Sequence, residues 1–229
     1  MQNLCVIIPF YNEKIFLEES INRVLADDIF EQIILSDDCS NDGSEIIAKN
    51  YSDNYDKISY IKSNVNLGKG HALSQAKTLI NTSHVVVHDA DLEYFPSDIV
   101  EMFNCSKKYP EYLILGSRFI GSKERKNVYL RTFIANKLMS SFFSLVNFYK
   151  VTDIATCYKL MPASFFKKID LVEKGFSIEI ELLSKYLKTN RIIKEVPIKY
   201  EGRSYSEGKK IKTADGFQYL FNTLKYKFF

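Results

Sequence analysis

Apolar residues in the first half of the chain fall into short β-branched runs, separated by longer stretches where they recur every third or fourth position. Leu4–Pro9, Gln32–Ser36, Ile58–Lys62 and Val85–His88 have the continuous apolar character of strands buried on both faces. Between them, Glu13–Leu25, Ser44–Asn50 and Lys69–Ile80 have the spacing of helices that bury one side. Strands alternating with helices predict a mostly parallel sheet covered on both faces. After Pro96 a further helix leads to a strand at Tyr112–Gly116. The second half is less regular. It holds an amphipathic helix between Val128 and Phe148, a short segment at Cys157–Leu160, a helix at Ser177–Leu187, a strand at Ile192–Tyr200 and a last amphipathic stretch, Thr213–Phe229. With no repeat, low-complexity tract or linker, the pattern predicts one α/β/α domain, Rossmann-like, with a C-terminal extension.

Charge changes this picture at one place. The net charge is only +3, yet Gly116–Lys150 carries Arg118, Lys123, Arg125, Lys126, Arg131, Lys137 and Lys150 against the single acid Glu124. The same segment holds Phe133, Ile134, Leu138, Phe142, Phe143, Leu145, Val146 and Phe148. A basic, aromatic-rich amphipathic helix suits the interface of an anionic membrane, with Phe142 and Phe143 on the lipid side; the bland alternative is a core helix with solvated lysines. The charge is too local for a nucleic-acid surface. The strand Leu4–Pro9 lies too near the first residue to leave room for a signal peptide, and no apolar run approaches the ~20 residues of a membrane span. Cys5, Cys39, Cys105 and Cys157 show no C-x-x-C spacing, so reduced thiols are expected.

Candidate chemistry gathers at strand ends. SHVVVHDADLEYFP places Asp89, Asp91 and Glu93 directly after a buried strand. Carboxyl ends of strands are where such sheets bind ligands, and acids this close repel unless a cation neutralises them. Mg²⁺ or a similar hard ion with a bound diphosphate fits; a helix cap by Asp91 or Ser97 is the structural alternative. PFYNE (Pro9–Glu13) and SDDCSNDGS (Ser36–Ser44) are loops on the same side, and Asp38 is suited to accept from the N–H of a nucleobase. Asp42 and Ser44 read as helix caps. NLGKGHA lacks the phosphate-loop spacings, His71 has no zinc-ligand partner, and no G-x-S-x-G elbow occurs.

PFYNE, LSDDCSNDGS, NLGKGHAL, DADLEY, GSRF, TDIATCYKL, GFSIEIELL and EVPIKYEGRSYSEGKKI occur here in that order. Together they resemble the family-2-type GT-A glycosyltransferases, on the branch similar to dolichyl-phosphate mannose synthase and its bacterial polyprenyl-phosphate counterparts. The resemblance spans roughly residues 4 to 227. It implies the GT-A fold, with 1–120 as the nucleotide-sugar half and 121–229 as the acceptor half. It places Pro9, Tyr11, Glu13 and Asp38 at the nucleotide, with Ser36 contributing backbone, and Asp89, Ala90 and Asp91 at the diphosphate and the metal, Mg²⁺ or Mn²⁺. Glu93, where relatives often have Gln, becomes a third metal ligand. Arg118 lies near the donor and the acceptor phosphate, Arg131 at the lipid phosphate, and Arg203 and Lys209 in a Gly- and Ser-rich loop expected to close over the diphosphate.

The implied reaction moves a sugar from a GDP- or UDP-sugar to polyprenyl phosphate, with inversion, by a protein resting on the cytoplasmic face of a membrane. A phosphate acceptor is already an anion and needs no strong base. Transfer to a glycan hydroxyl is the alternative, and would need one, with Asp89 or Glu179 as candidates. A sugar-1-phosphate nucleotidylyltransferase would need a glycine-rich first loop that PFYNE lacks. A non-catalytic nucleotide-sugar-binding module is the remaining class, and the intact acids and cations argue against it.

Overall fold

The computed structural model describes residues 2–127, 129–175, 177–189, 192–203 and 213–229. In chain order the elements are β1 (Leu4–Phe10), α1 (Leu17–Leu25), β2 (Phe30–Asp37), α2 (Ser44–Asn54), β3 (Ile58–Lys62), α3 (Lys69–Ala76), β4 (His84–Val87), α4 (Ser97–Lys108), β5 (Leu113–Ser117), β6 (Arg125–Lys126), α5 (Leu130–Asn147), β7 (Lys159–Pro162), α6 (Ala163–Lys168), α7 (Ile178–Leu187), β8 (Ile193–Pro197), β9 (Tyr200–Glu201) and α8 (Thr213–Phe228). The main sheet runs β3-β2-β1-β4-β7-β5-β8, and only β7 is antiparallel to its neighbours.

Period-two alternation sends successive β1 side chains to opposite faces. Leu4, Val6, Ile8 and Phe10 join one core beneath α1 and α4, while Cys5 and Ile7 join a second core with α3, α6 and α7. Every residue of β1 is therefore buried, as its unbroken apolar run predicts. Chain order reverses beside β1, which has β2 on one side and β4 on the other, so a crevice opens at the carboxyl ends of β1 and β4.

Several boundaries differ from the sequence reading. Asn12 takes a left-handed φ of 52°, and the chain makes a turn at Glu13 before α1 begins at Leu17. The last strand divides at Pro197: the Lys199 amide bonds Asp98, and Tyr200–Glu201 leaves the sheet to pair with Arg125–Lys126 as a two-stranded parallel ribbon. Pairing across 75 residues left β6 and β9 without a local signal. All four cysteines are free.

The expected lipid-facing helix is corrected in part. Phe143 is fully buried in the second core and Phe142 is partly covered, because α5 turns that side towards the sheet and α8. The apolar residues that α5 leaves exposed are Leu130, Ile134, Leu138 and Leu145, with Phe148 just beyond.

Candidate active site

The ends of five strands and the starts of α3 and α7 line a cavity of about 330 Å³. β1 supplies Pro9 and the following Tyr11 and Glu13, β2 is followed by Asp38, and β4 by Asp89, Ala90 and Asp91. Arg118 follows β5, and Arg203 follows the ribbon strand β9; all of these line the cavity. Ser36 does not. Its side chain is buried and its hydroxyl donates to the Ala72 carbonyl at 2.7 Å. Arg131 is exposed on α5 and lies outside the lining, where Thr132 and Asn136 stand instead. Lys209 lies outside the described residues.

Asp38 has a role that the sequence reading did not foresee. Its carboxylate accepts from the amides of Leu67 (3.1 Å) and Gly68 (2.6 Å), so it holds the N-L-G turn in place beside the cavity. That turn starts α3 between two glycines. A side-chain carbon at Gly68 or Gly70 would run into the backbone carbonyls of Lys174 and Glu173. The close fit presents Lys69, the residue between them, to the cavity.

Lys69 is the main residue missed. Its ammonium lies 2.7 Å from Asp89 and 2.8 Å from Glu179, and Glu179 is also paired with the fully buried Lys159. Burial opposes charge on Lys69, but the two carboxylates outweigh it and hold its pKa well above the usual lysine value. Asp89 feels burial pushing its carboxyl up, and Lys69 reverses that to a net lowering. The sole sequence signal was a lysine framed by glycines in NLGKGHA; its partner lies 110 residues away.

The DADLEY loop is arranged differently. Leu92 takes a left-handed φ of 63°, unusual for a branched side chain and typical of strained functional loops. Arg203 donates to Asp91 at 3.0 Å and lies 3.6 Å from Glu93, whose carboxylate also accepts from the Arg203 amide (2.9 Å) and the Tyr200 hydroxyl (2.6 Å). Burial, then Asp89 and Glu93, push the Asp91 carboxyl up to about 7 despite Arg203. The three acids expected as metal ligands, Asp89, Asp91 and Glu93, are thus engaged by different partners. Among the described residues no three acids, histidines or cysteines are gathered to hold an ion, since Asp89 turns to Lys69 and Glu93 to Tyr200 and Arg203. Asp91 with Glu93 still fits a hard cation: two oxygen donors, one under strong repulsion, beside space for a diphosphate.

Arg118 is held rigidly. Its Nε and Nη2 donate to Asp153 at 2.7 Å each, and its guanidinium lies 4.9 Å from the Tyr200 ring centre. Asp153, fully buried in the TDIATCYKL segment, was not singled out in the sequence.

Comparison with known proteins points one way. The model for glycosyl transferase family 2 matches residues 5–170. The chain is 30% identical over 244 residues to the UDP-N-acetylglucosamine–dolichyl-phosphate N-acetylglucosaminyltransferase of Methanococcus voltae, covering 97% of this chain and 95% of that one. It is 26% identical to the dolichol-phosphate mannosyltransferase of Pyrococcus furiosus, covering 94% of this chain and 61% of that protein. Among solved structures, glucosyl-3-phosphoglycerate synthase of Mycobacterium tuberculosis in complex with Mn²⁺ and UDP superimposes with a TM-score of 0.75 at 16% identity, over 99% of this chain and 80% of that one.

Proposed function

The chain belongs to glycosyl transferase family 2 and has the GT-A fold, and from that premise we propose that it transfers a sugar, with inversion, from a UDP- or GDP-sugar to a polyprenyl phosphate. One observation carries the choice of acceptor. Asp89 and Glu179, the acids placed to act as a general base, share the ammonium of Lys69, and Glu179 is held by Lys159 as well. A carboxylate tied to a cation is a weak base, which favours an acceptor that brings its own negative charge. A phosphate does, and two of the relatives carry dolichyl or dolichol phosphate in their names.

In this reading the acceptor oxygen attacks the anomeric carbon while the bond to the diphosphate breaks, its electron pair leaving on phosphate oxygen. Arg203 supplies fixed positive charge for that leaving group. Asp91 and Glu93 would hold a divalent ion, which when bound neutralises the diphosphate. Asp38 fixes the turn beside the nucleotide, and Lys69 keeps Asp89 ionised as an acceptor for sugar or ribose hydroxyls.

The protein rests on the cytoplasmic face of a membrane in this proposal. Leu130, Ile134 and Leu138 recur every fourth residue on the outside of α5, and Phe221, Leu224 and Phe228 are exposed on α8, which packs beside it. Arg131 on α5 and Lys227 on α8 add positive charge near these rows. No helix among the described residues is long and apolar enough to cross a membrane.

Asp91 favours the second reading, transfer to a glycan hydroxyl, because a carboxyl pushed up to about 7 can take a proton near neutral pH. A panel of UDP- and GDP-sugars with Mg²⁺ or Mn²⁺, offered a short polyprenyl phosphate or an oligosaccharide, separates the two. The proposal expects label in the lipid product; label confined to the oligosaccharide overturns it. Donor turnover of any kind excludes a non-catalytic binding module.

A further inference from the structure

β9 leaves the main sheet for a two-stranded ribbon, and its other edge meets the candidate site. Amides of an extended chain point alternately to its two sides. Those of Tyr200 and Gly202 bond the carbonyls of Glu124 and Lys126 on the β6 side, at 3.1 Å each. The amides of Glu201 and Arg203 turn the opposite way, and both go to one residue, Glu93. Glu201 bonds its backbone carbonyl at 3.0 Å, and Arg203 one oxygen of its carboxylate at 2.9 Å. The Tyr200 hydroxyl donates to the other carboxylate oxygen at 2.6 Å.

Each carboxylate oxygen of Glu93 is therefore fixed by a donor from this segment. Such an oxygen has two acceptor directions, so each keeps one for a ligand. Glu93 and Tyr200 are both buried, and the Tyr200 ring packs edge-on against Tyr94, in the same loop as Glu93, with ring centres 5.3 Å apart. Hydroxyl and ring thus hold the DADLEY loop to the ribbon at two points. A loose glutamate must give up side-chain freedom before it can ligate; this one has already done so. It lines the same cavity as Asp91, whose Oδ1 accepts from the Glu93 amide at 3.3 Å.

We propose that Tyr200 is a positioning residue for the divalent ion: its hydroxyl, with the Arg203 amide, sets the Glu93 carboxylate to ligate beside Asp91. The inference rests on the reading of Asp91 and Glu93 as metal ligands and goes beyond it in naming the group that aims Glu93. Tyr200 acts through Glu93. A hydroxyl bonded to a carboxylate is a charge-assisted donor, so it also helps Glu93 keep its negative charge in a buried place. Groups that orient a metal ligand in this way matter to affinity, and their loss weakens metal binding by ~10–100-fold.

Uptake of Mn²⁺ by the full chain, followed through the electron paramagnetic resonance signal of the free ion, tests this without any turnover. Tyr200→Phe removes the hydroxyl and keeps the ring against Tyr94, so the variant should fold, as circular dichroism checks, and bind Mn²⁺ about tenfold more weakly. Glu93→Ala should weaken binding at least as much. Adding Tyr200→Phe to Glu93→Ala should change nothing further, because the two side chains act as a unit. Wild-type affinity in Tyr200→Phe, or an equal loss when it is added to Glu93→Ala, overturns the assignment of Tyr200 and leaves the metal reading in place. If Asp91→Asn and Glu93→Ala both bind Mn²⁺ like wild type, or wild type takes up none, the metal reading falls and the inference with it.

Discussion

The sheet around β1 and β4 and the helix pair α5–α8 are both rich in apolar residues and place them in opposite ways. β1 and β4 bury every residue they have, and the helices over them close two cores. Only Asn136, Ser140 and Phe143 of α5 are buried along its 18 residues, and its leucines face outward. The charges divide in the same way. Beside the sheet, Asp89 and Glu179 are matched to Lys69 at hydrogen-bonding distance, while the pocket under α5 holds Arg118, tied to Asp153, and Arg125, which donates to a backbone carbonyl. One region is finished by its own chain. The other keeps apolar side chains exposed, the feature on which the proposed membrane contact rests.

The sharpest way to break that comparison is to truncate one residue of each kind on α5. Phe143→Ala, in the core, should cost about 3–5 kcal/mol. Leu138→Ser with Leu145→Ser, on the outside, should stay within about 1 kcal/mol of wild type by urea unfolding. Equal losses would mean that both faces are packed.

The donor end should respond in activity and not in stability. Asp91→Asn is expected to lower transfer by roughly a hundredfold or more, since it removes a ligand for the charge that offsets the leaving group. Its folding should not suffer. The Asp91 carboxyl is raised to about 7 in the fold, so its contribution to stability is full below the ordinary carboxylate range and is lost as pH rises through 7. Thermal melting should place the variant level with or above wild type at pH 8, with the gap closing towards pH 4. A variant that melts lower at pH 8 would show that Asp91 is structural.

A smaller effect concerns the membrane. The Leu138→Ser, Leu145→Ser protein should sediment severalfold less with anionic vesicles, and wild-type association should weaken as salt is added. Undiminished binding by the double variant would move the contact elsewhere.

Strands and the acid loop were legible in the sequence because their signals are local. Runs such as LCVIIPF fix burial on both faces, and D-A-D after such a run is contiguous chemistry. Lys69 and Asp153 were not, because their partners Glu179 and Arg118 are 110 and 35 residues away and ion pairing leaves no periodicity. The outward face of α5 was ambiguous for another reason. With apolar residues on several sides of the helix, spacing alone did not say whether Phe143 or Leu145 met the core. Arg125 was visible only as one charge among seven until the ribbon placed it beside Arg118.

The central claim is that the acceptor brings its own charge, because Asp89 and Glu179 are held by lysines. Transfer to a polyprenyl phosphate and to the matching phosphate-free polyprenol, with the same donor, metal and protein, measures this directly. The account predicts glycosylated product from the phosphate and none above background from the alcohol. Comparable product from both would show that a base in the site removes a hydroxyl proton, and would contradict it.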